Sequence, residues 1–317
     1  MAVIDQEIND KYAIYNGDCI EVLPEIKNNS VHLSIYSPPF SDLYSYSSSP
    51  RDLSNCKSYN VFLEHYEFVV KEIFRVTLPG RLTLVHCMDI PLKGDKGVND
   101  FPGDIIRLHQ RLGFYYTGRR TIWKEPLKMA IRTRAKGLMH RQIVKDSSLC
   151  DVAGADYLLA FRKQGENKIP VENLAGLLNY AGENQPPKEL KIKYKNWKEP
   201  KTNKLSHYIW QRYASSVWMD IRIKNVLPYK PARESDDEKH VCPLQLDVIE
   251  RCLILWSNPG EIILTPFMGV GSEIYCSVLN ERRGIGIELK PSYFKQAKRN
   301  ILHAINNKSK IKGFDLN

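Results

Sequence analysis

Residues 31–40 read Val31-His32-Leu33-Ser34-Ile35-Tyr36-Ser37-Pro38-Pro39-Phe40. The first six alternate apolar and polar and are rich in β-formers, which predicts a strand. Two consecutive prolines cannot continue a sheet ladder, so the strand stops there and a stiff corner follows. Open α/β sheets bind ligands at the carboxyl ends of their strands. At this corner Ser37 offers a hydroxyl, Pro38 a carbonyl oxygen and Phe40 a flat π face, on a backbone that Pro38 and Pro39 hold rigid. Two fixed acceptors beside an aromatic plate suit a flat ring bearing an exocyclic amino group. The lone pair of such a nitrogen is delocalised into its ring. Hydrogen bonds that favour pyramidal geometry return part of it to the reacting atom, which is catalysis by orientation and electrostatics. An isolated SPPF is more often a plain strand terminator, so the weight falls on the rest of the chain.

Outward from that corner the pattern is α/β. Upstream, KYAIYNGDCI (11–20) reads as a short strand ending at Asn16-Gly17-Asp18. Asp18 there is either a ligand acceptor or an ordinary turn residue. Downstream, residues 41–60 are rich in Ser and Tyr and read as a long surface loop, either an inert one or a lid carrying Tyr44, Tyr46 and Arg51. The apolar spacing over 60–76 predicts a helix, stopped by Leu78-Pro79-Gly80. GRLTLVHCM follows as a strand apolar on both faces. A helix at IIRLHQRLG and strands at FYYTGRRTIWK and YLLAFRK complete this half.

Between residues 166 and 239 the periodicity weakens and Pro, Gly and charge increase, which reads as a smaller inserted region. Its lysines, Lys193 and Lys195 among them, interleave with Tyr194, Trp197, Tyr208, Trp210, Tyr213 and Trp218. Basic and aromatic residues together suit nucleic acid. Trp210 and Trp218 read as core of the insert. A second basic run, 128–145, holds six Lys or Arg and no acid. It is either a solvated face or, through Arg132, Arg134, Lys136 and Arg141, a phosphate-contacting segment.

The α/β pattern resumes at Cys242, with a helix over 243–256, a strand EIILTP, a helix to Asn280, a strand over 284–288, a closing helix and a frayed basic tail at 311–317. Pro266-Phe267-Met268-Gly269-Val270-Gly271 lies between a strand and a helix, where glycines admit a ligand close to the backbone. Glu288 ends the next strand, where an acid can grip both hydroxyls of a ribose. No third glycine, phosphate loop or basic clasp accompanies them, which favours a nucleoside without phosphates. S-adenosylmethionine fits that description.

The chain has 317 residues, 43% hydrophobic and 26% charged, long enough for one large domain or two modest ones, with room for a sizeable core. The net charge of +10 points to an anionic partner. The seven cysteines, Cys19, Cys56, Cys87, Cys150, Cys242, Cys252 and Cys276, include no C-x-x-C pair, which argues against a zinc knuckle or disulfide framework and for a reducing compartment. With no signal-like start and no run of membrane-spanning length, the expectation is a cytoplasmic protein of a bacterium or phage-infected cell, without metal or membrane.

Taken in order, these motifs resemble the DNA amino-methyltransferases that modify adenine N6 or cytosine N4. SPPF resembles the catalytic motif, TPFMGVGSE the cofactor loop, GIGIELKPSYF the segment with the ribose acid, NGDC the segment flanking the cofactor adenine, and KHVCPLQL the block clasping the methionine end. The order, with a basic segment between catalytic motif and cofactor loop, resembles the β group. The resemblance implies a Rossmann-like, mixed but mostly parallel seven-stranded sheet with helices on both faces. The catalytic and cofactor domain would span 1–165 and 240–310, and the target-recognition insert 166–239. It assigns Ser37, Pro38, Pro39 and Phe40 to catalysis, and Asp18, Cys19, Phe267, Gly269, Gly271, Ser272 and Glu288 to S-adenosylmethionine. Double-stranded DNA is the implied partner, and a palindromic target would favour a homodimer. Two positions depart from the pattern: the leading Asp of the cofactor loop is Thr265 and the trailing Thr is Glu273. Ser37 is more typical of cytosine N4 enzymes, while the layout resembles solitary phage or prophage enzymes taken as adenine-specific, so the reading leans narrowly to adenine. The alternatives are cytosine N4 transfer, or a methyltransferase-like DNA-binding protein weakened by Thr265.

Overall fold

The computed structural model describes residues 3–40, 52–92, 97–133, 136–150, 153–234 and 243–314. Tyr44, Tyr46, Arg51, Arg134, Cys242 and the Lys239-His240 start of the KHVCPLQL block lie outside these residues. In chain order the elements are β1 (Asp5–Ile8), β2 (Tyr12–Asn16), α1 (Cys19–Val22), β3 (Val31–Tyr36), α2 (Tyr59–Val76), β4 (Thr77–Cys87), β5 (Ile90–Pro91), β6 (Val98–Asn99), α3 (Phe101–Arg111), β7 (Phe114–Ile122), α4 (Pro126–Thr133), α5 (His140–Lys145), β8 (Asp156–Lys163), α6 (Lys188–Tyr194), α7 (Lys204–Tyr213), β9 (Val217–Trp218), α8 (Leu246–Trp256), β10 (Ile262–Thr265), α9 (Ser272–Leu279), β11 (Arg283–Glu288) and α10 (Pro291–Phe314).

Among the described residues nine strands form the main sheet, in the order β1-β2-β11-β10-β3-β4-β8-β7-β9. The inner seven are the strands expected from the pattern. β1 and β9 are added at the edges: the first is a largely exposed tetrapeptide, and the second is two residues long. Neither is long or apolar enough to leave a periodic signal. Pairing is parallel from β2 through β4, while β8 runs antiparallel to both β4 and β7.

Alternation along the strands builds two cores. Tyr36, Val85 and Phe161 face a layer containing Phe62, Tyr66 and Ile105 of α2 and α3. Leu33, Ile35, Leu84 and Ile263 face Val248, Cys252 and Leu253 of α8. Helix α2 opens on Ser58, whose Oγ accepts from the Val61 amide. It passes straight into β4, so Leu78-Pro79-Gly80 lies within the strand rather than capping the helix. Gly80 is needed for close approach: at φ +73° its Cβ would lie 2.4 Å from the Asn167 amide nitrogen. At the other end, α10 continues to Phe314, past the start of the expected frayed tail.

Residues 166–234 carry their own small core of Leu177, Tyr180, Tyr194, Leu205, Ile209 and Tyr213. Helix α7 buries Leu205, Ile209 and Tyr213 along one face, which leaves Trp210 on the other, 54% exposed. The reading of Trp210 as core is therefore corrected. Trp218 is buried, but in the main sheet's core rather than the insert's. No described helix is long and apolar enough to cross a membrane.

Candidate active site

The parallel neighbours β3 and β10 stand in register, Leu33 with Ile263 and Ser34 with Leu264. Their carboxyl ends therefore deliver Ser37-Pro38-Pro39-Phe40 and Pro266-Phe267-Met268-Gly269 to one sheet edge. β11 and β2 bring Glu288 and Asn16 to the same edge, also in register. The result is one cleft of about 270 Å3, lined by Asp18, Cys19, all four residues of SPPF, Phe267, Gly269, Ser272 and Glu288. Two stretches more than 200 residues apart in sequence thus share a wall.

Each side chain is held by its local structure. Asp18 caps α1, its Oδ1 accepting from the Ile20 amide at 3.0 Å. Cys19, first in that helix, is buried, and burial pushes its thiol well up. The Phe40 ring meets Phe101 edge-on at 6.2 Å, and Phe267 rests against the rings of Tyr36 and Tyr66. Gly269 has φ +54° with open space where a Cβ would stand, and its amide donates to Glu288 Oε2 at 2.7 Å. The Lys290 amide donates to Glu288 Oε1 at 2.8 Å. Each carboxylate oxygen keeps a further acceptor position, a pair that matches two adjacent hydroxyls. Burial raises the Glu288 carboxyl to about 7, against the pull of those two amides. Gly271 does not line the cleft. At φ +88° its Cα faces α10, and a Cβ there would approach Ala297 Cβ to 3.1 Å, so its role is packing.

Three residues that sequence reasoning missed complete the corner at Ser37. Ser37 Oγ lies 3.1 Å from both His86 Nδ1 and the His86 carbonyl oxygen. His86 Nε2 lies 3.1 Å from Asp156 Oδ2, and Lys124 pairs with the other oxygen of Asp156. Burial alone would raise the Asp156 carboxyl, but His86 and Lys124 outweigh it and hold it at about 2. His86 was visible as a polar residue near the end of an apolar strand. Asp156 opens β8, and only the antiparallel pairing of β8 with β4 and β7 carries it to this edge, with Cys87 opposite Tyr157 and Ile122 opposite Asp156.

The basic residues fall outside this constellation. Lys128 lines the cleft. Arg132 lies in α4, Lys136 opens the 3-10 turn Lys136–Leu138, and Arg141 is exposed on α5. Lys193 is exposed at the end of α6 and Lys195 just beyond it.

A parallel-centred sheet with a nucleoside-sized cleft, a ribose-matched acid and an amine-matched corner at its switch point defines a nucleoside-dependent group-transfer enzyme of Rossmann-like build. Residues 31–299 match the N6/N4 family described as DNA methylase. The chain belongs to that family, and it is an S-adenosylmethionine-dependent DNA amino-methyltransferase. Among its relatives, the Type II methyltransferase M.MthZI of Methanothermobacter thermautotrophicus is 22% identical over 85% of this chain and 70% of its own length. The chain spans 54% of the length of M.BamHI from Bacillus amyloliquefaciens, at 24% identity. Among solved structures, the cytosine-N4-specific PvuII DNA methyltransferase shares the fold with a TM-score of 0.61 at 14% identity, covering 94% of this chain and 92% of that one.

Glu288→Ala should weaken binding of S-adenosylhomocysteine by about 10- to 100-fold, since charge-assisted hydrogen bonds are worth about 1.5–3 kcal/mol each. Calorimetric titration checks this. The sign of the pH effect follows from the raised carboxyl. As pH falls through about 7 Glu288 takes up a proton and loses an acceptor position, so affinity should weaken from pH 8 to pH 6. Unchanged affinity would remove Glu288 from the ribose role.

Proposed function

We propose that this cleft methylates the exocyclic amino group of a base turned out of duplex DNA, with Ser37 receiving an amino proton and His86 accepting it in turn. The observation that carries the reading is the contact of Ser37 with His86, whose far side faces Asp156, beside the Pro38 carbonyl and the Phe40 ring. The amino group of a stacked base is out of reach, so the base must leave the helix. Phe40 then stacks on it, and Ser37 Oγ and the Pro38 carbonyl accept its two amino protons. Among the described residues no donor reaches that carbonyl.

The cofactor, when bound, supplies an electrophilic methyl on a positively charged sulfur. The cleft fits it: Glu288 presents paired acceptor positions for the ribose, Asp18, Cys19 and Phe267 flank the space for adenine, and the Gly269 bend leaves room beside the backbone. As the nitrogen gains a methyl it must lose a proton. His86 takes the Ser37 hydroxyl hydrogen on Nδ1 while Ser37 takes the amino proton. The imidazolium that results donates Nδ1–H to Ser37, whose hydroxyl turns to the His86 carbonyl oxygen, also 3.1 Å away. Both protonation states are thus served by contacts already present, and Asp156 faces the positive ring. Lys128 on the cleft wall, with Arg132, Arg134, Lys136 and Arg141 of the same basic run in sequence and Lys193 and Lys195 of the 166–239 segment, would hold the DNA phosphates.

Incubating the protein with unmodified duplex DNA and methyl-labelled S-adenosylmethionine, followed by nucleoside mass spectrometry, tests the reading. Label in 6-methyladenine or 4-methylcytosine is the expected result and decides the base. DNA bound without label would leave a binding protein and overturn the enzymatic reading.

A further inference from the structure

At the carboxyl ends of β7 and β9 lies an apolar ledge that the reaction above does not use. The two strands pair in parallel, Thr121 with Val217 and Ile122 with Trp218. Ile122 and Trp218 turn into the core shared with α8. The Trp123 amide donates to the Trp218 carbonyl oxygen at 3.0 Å, which carries the pairing one residue past the strand ends and sets Trp123 beside Met219. Alternation turns Val217, Trp123 and Met219 to the other face. They are 40%, 39% and 64% exposed. Large apolar side chains grouped in this way mark a contact surface. Arg119 of β7, exposed on the same face, stacks its guanidinium over the Tyr157 ring at 5.1 Å.

What covers the ledge follows from its place. Lys124, the residue after Trp123, lines the cleft and pairs with Asp156. Trp123 therefore stands one Cα step, about 3.8 Å, from the cleft wall, and Met219 one strand spacing, about 4.8 Å, beyond it. A base-pair step rises about 3.4 Å. When a base from a duplex fills the cleft, the neighbouring base pairs come within reach of the ledge. An intact duplex offers only phosphates and groove edges there. A duplex with one base turned out offers two bare base-pair faces around a gap, flat surfaces that suit an indole ring and a thioether. Arg119 brings positive charge to the same face for the adjoining phosphates. We propose that Trp123, Val217 and Met219 form a wedge that enters the gap the target base leaves in the DNA stack. The inference rests on the functional reading above.

Two duplexes of one sequence, one intact and one with a single abasic site, test this by fluorescence anisotropy at fixed salt. The wild type should bind the abasic duplex at least about fivefold tighter, the range of one base–aromatic stack. Trp123→Ala and Met219→Ala should each cut that preference. Their affinity for the intact duplex should stay within about twofold of the wild type, because phosphate contacts carry it. Retention of the preference by both variants would overturn the wedge, as would its absence in the wild type. Should Trp123→Ala not fold, Met219→Ala, at the more exposed position, carries the test. Light scattering identifies the other occupant: a wild-type dimer that both variants break, with the DNA preference unchanged, assigns the ledge to a second copy of the chain and overturns the proposal. Methyl transfer to DNA by the wild type separates the two readings. Transfer without the abasic preference overturns the wedge alone, and no transfer overturns the functional reading and the wedge with it.

Discussion

Ser37→Ala is expected to slow single-turnover methyl transfer by about 100- to 1,000-fold with cofactor affinity nearly unchanged, the range in which a positioned proton acceptor acts. In the proposed reaction the hydroxyl, 3.1 Å from His86 Nδ1, links that nitrogen to the substrate amine, so its removal would strand the proton on the product nitrogen. His86→Gln should show a smaller loss, because Ser37 keeps its hydroxyl as an acceptor and loses only the group that drains it. Phe40→Ala should weaken the hold on the base and so raise the apparent KM for DNA, since base–aromatic stacking is worth about 1–3 kcal/mol. Rapid-quench kinetics with pre-bound cofactor, alongside calorimetric cofactor binding, separates these effects. A Ser37→Ala protein transferring methyl at the wild-type rate would remove Ser37 and His86 from the proton path together.

Asp220→Ala is expected to destabilise the protein by about 3–5 kcal/mol, the usual cost of leaving a buried charge without its partner. Arg251 of α8 is fully buried. It donates from Nη2 to Asp220 Oδ1 at 2.8 Å and from Nε and Nη2 to the Ala181 carbonyl oxygen. Its guanidinium lies about 5 Å from the ring centroids of Tyr213, Trp218 and Tyr180. Ala181 and Asp220 lie in the 166–234 segment and Arg251 in α8, so this buried pair ties the segment to the helix. Gly182 is constrained by the same packing: a Cβ there would reach 2.5 Å from Arg251 Nη2. In the double variant Asp220→Ala with Arg251→Met no buried charge is left alone, so it should lose less stability than Asp220→Ala by itself. Urea unfolding of the three proteins measures this. Asp220→Ala within experimental error of the wild type would show that Arg251 finds water or another acceptor.

Much of the site could be read along the chain because it sits where strands end. A strand that runs into Pro38-Pro39 or Gly269 announces its own terminus through backbone chemistry, and sheet architecture then places that terminus beside ligands. Ser37, Phe40, Gly269 and Glu288 are of this kind, and they share one cleft. Gly271 belongs to the same motif but serves α10, because a positive φ identifies a glycine without saying which neighbour it admits. Trp210 was misjudged for a related reason: in a weakly periodic insert an aromatic side chain carries no mark of which helix face will be covered.

The sequence by itself determined the alternation of strands and helices, the two breaks that end β3 and β10, and the family to which those breaks belong, since proline geometry, glycine freedom and hydrophobic period are local properties of the chain. Only the tertiary structure decided that Asp156 meets His86, that Gln245 and Glu273 face one cavity, and that Arg251 reaches into the insert. Those pairings depend on strand direction and on the packing of helices distant in sequence. No local preference encodes them, because each side chain is polar or charged for the sake of a partner met only once the sheet has formed.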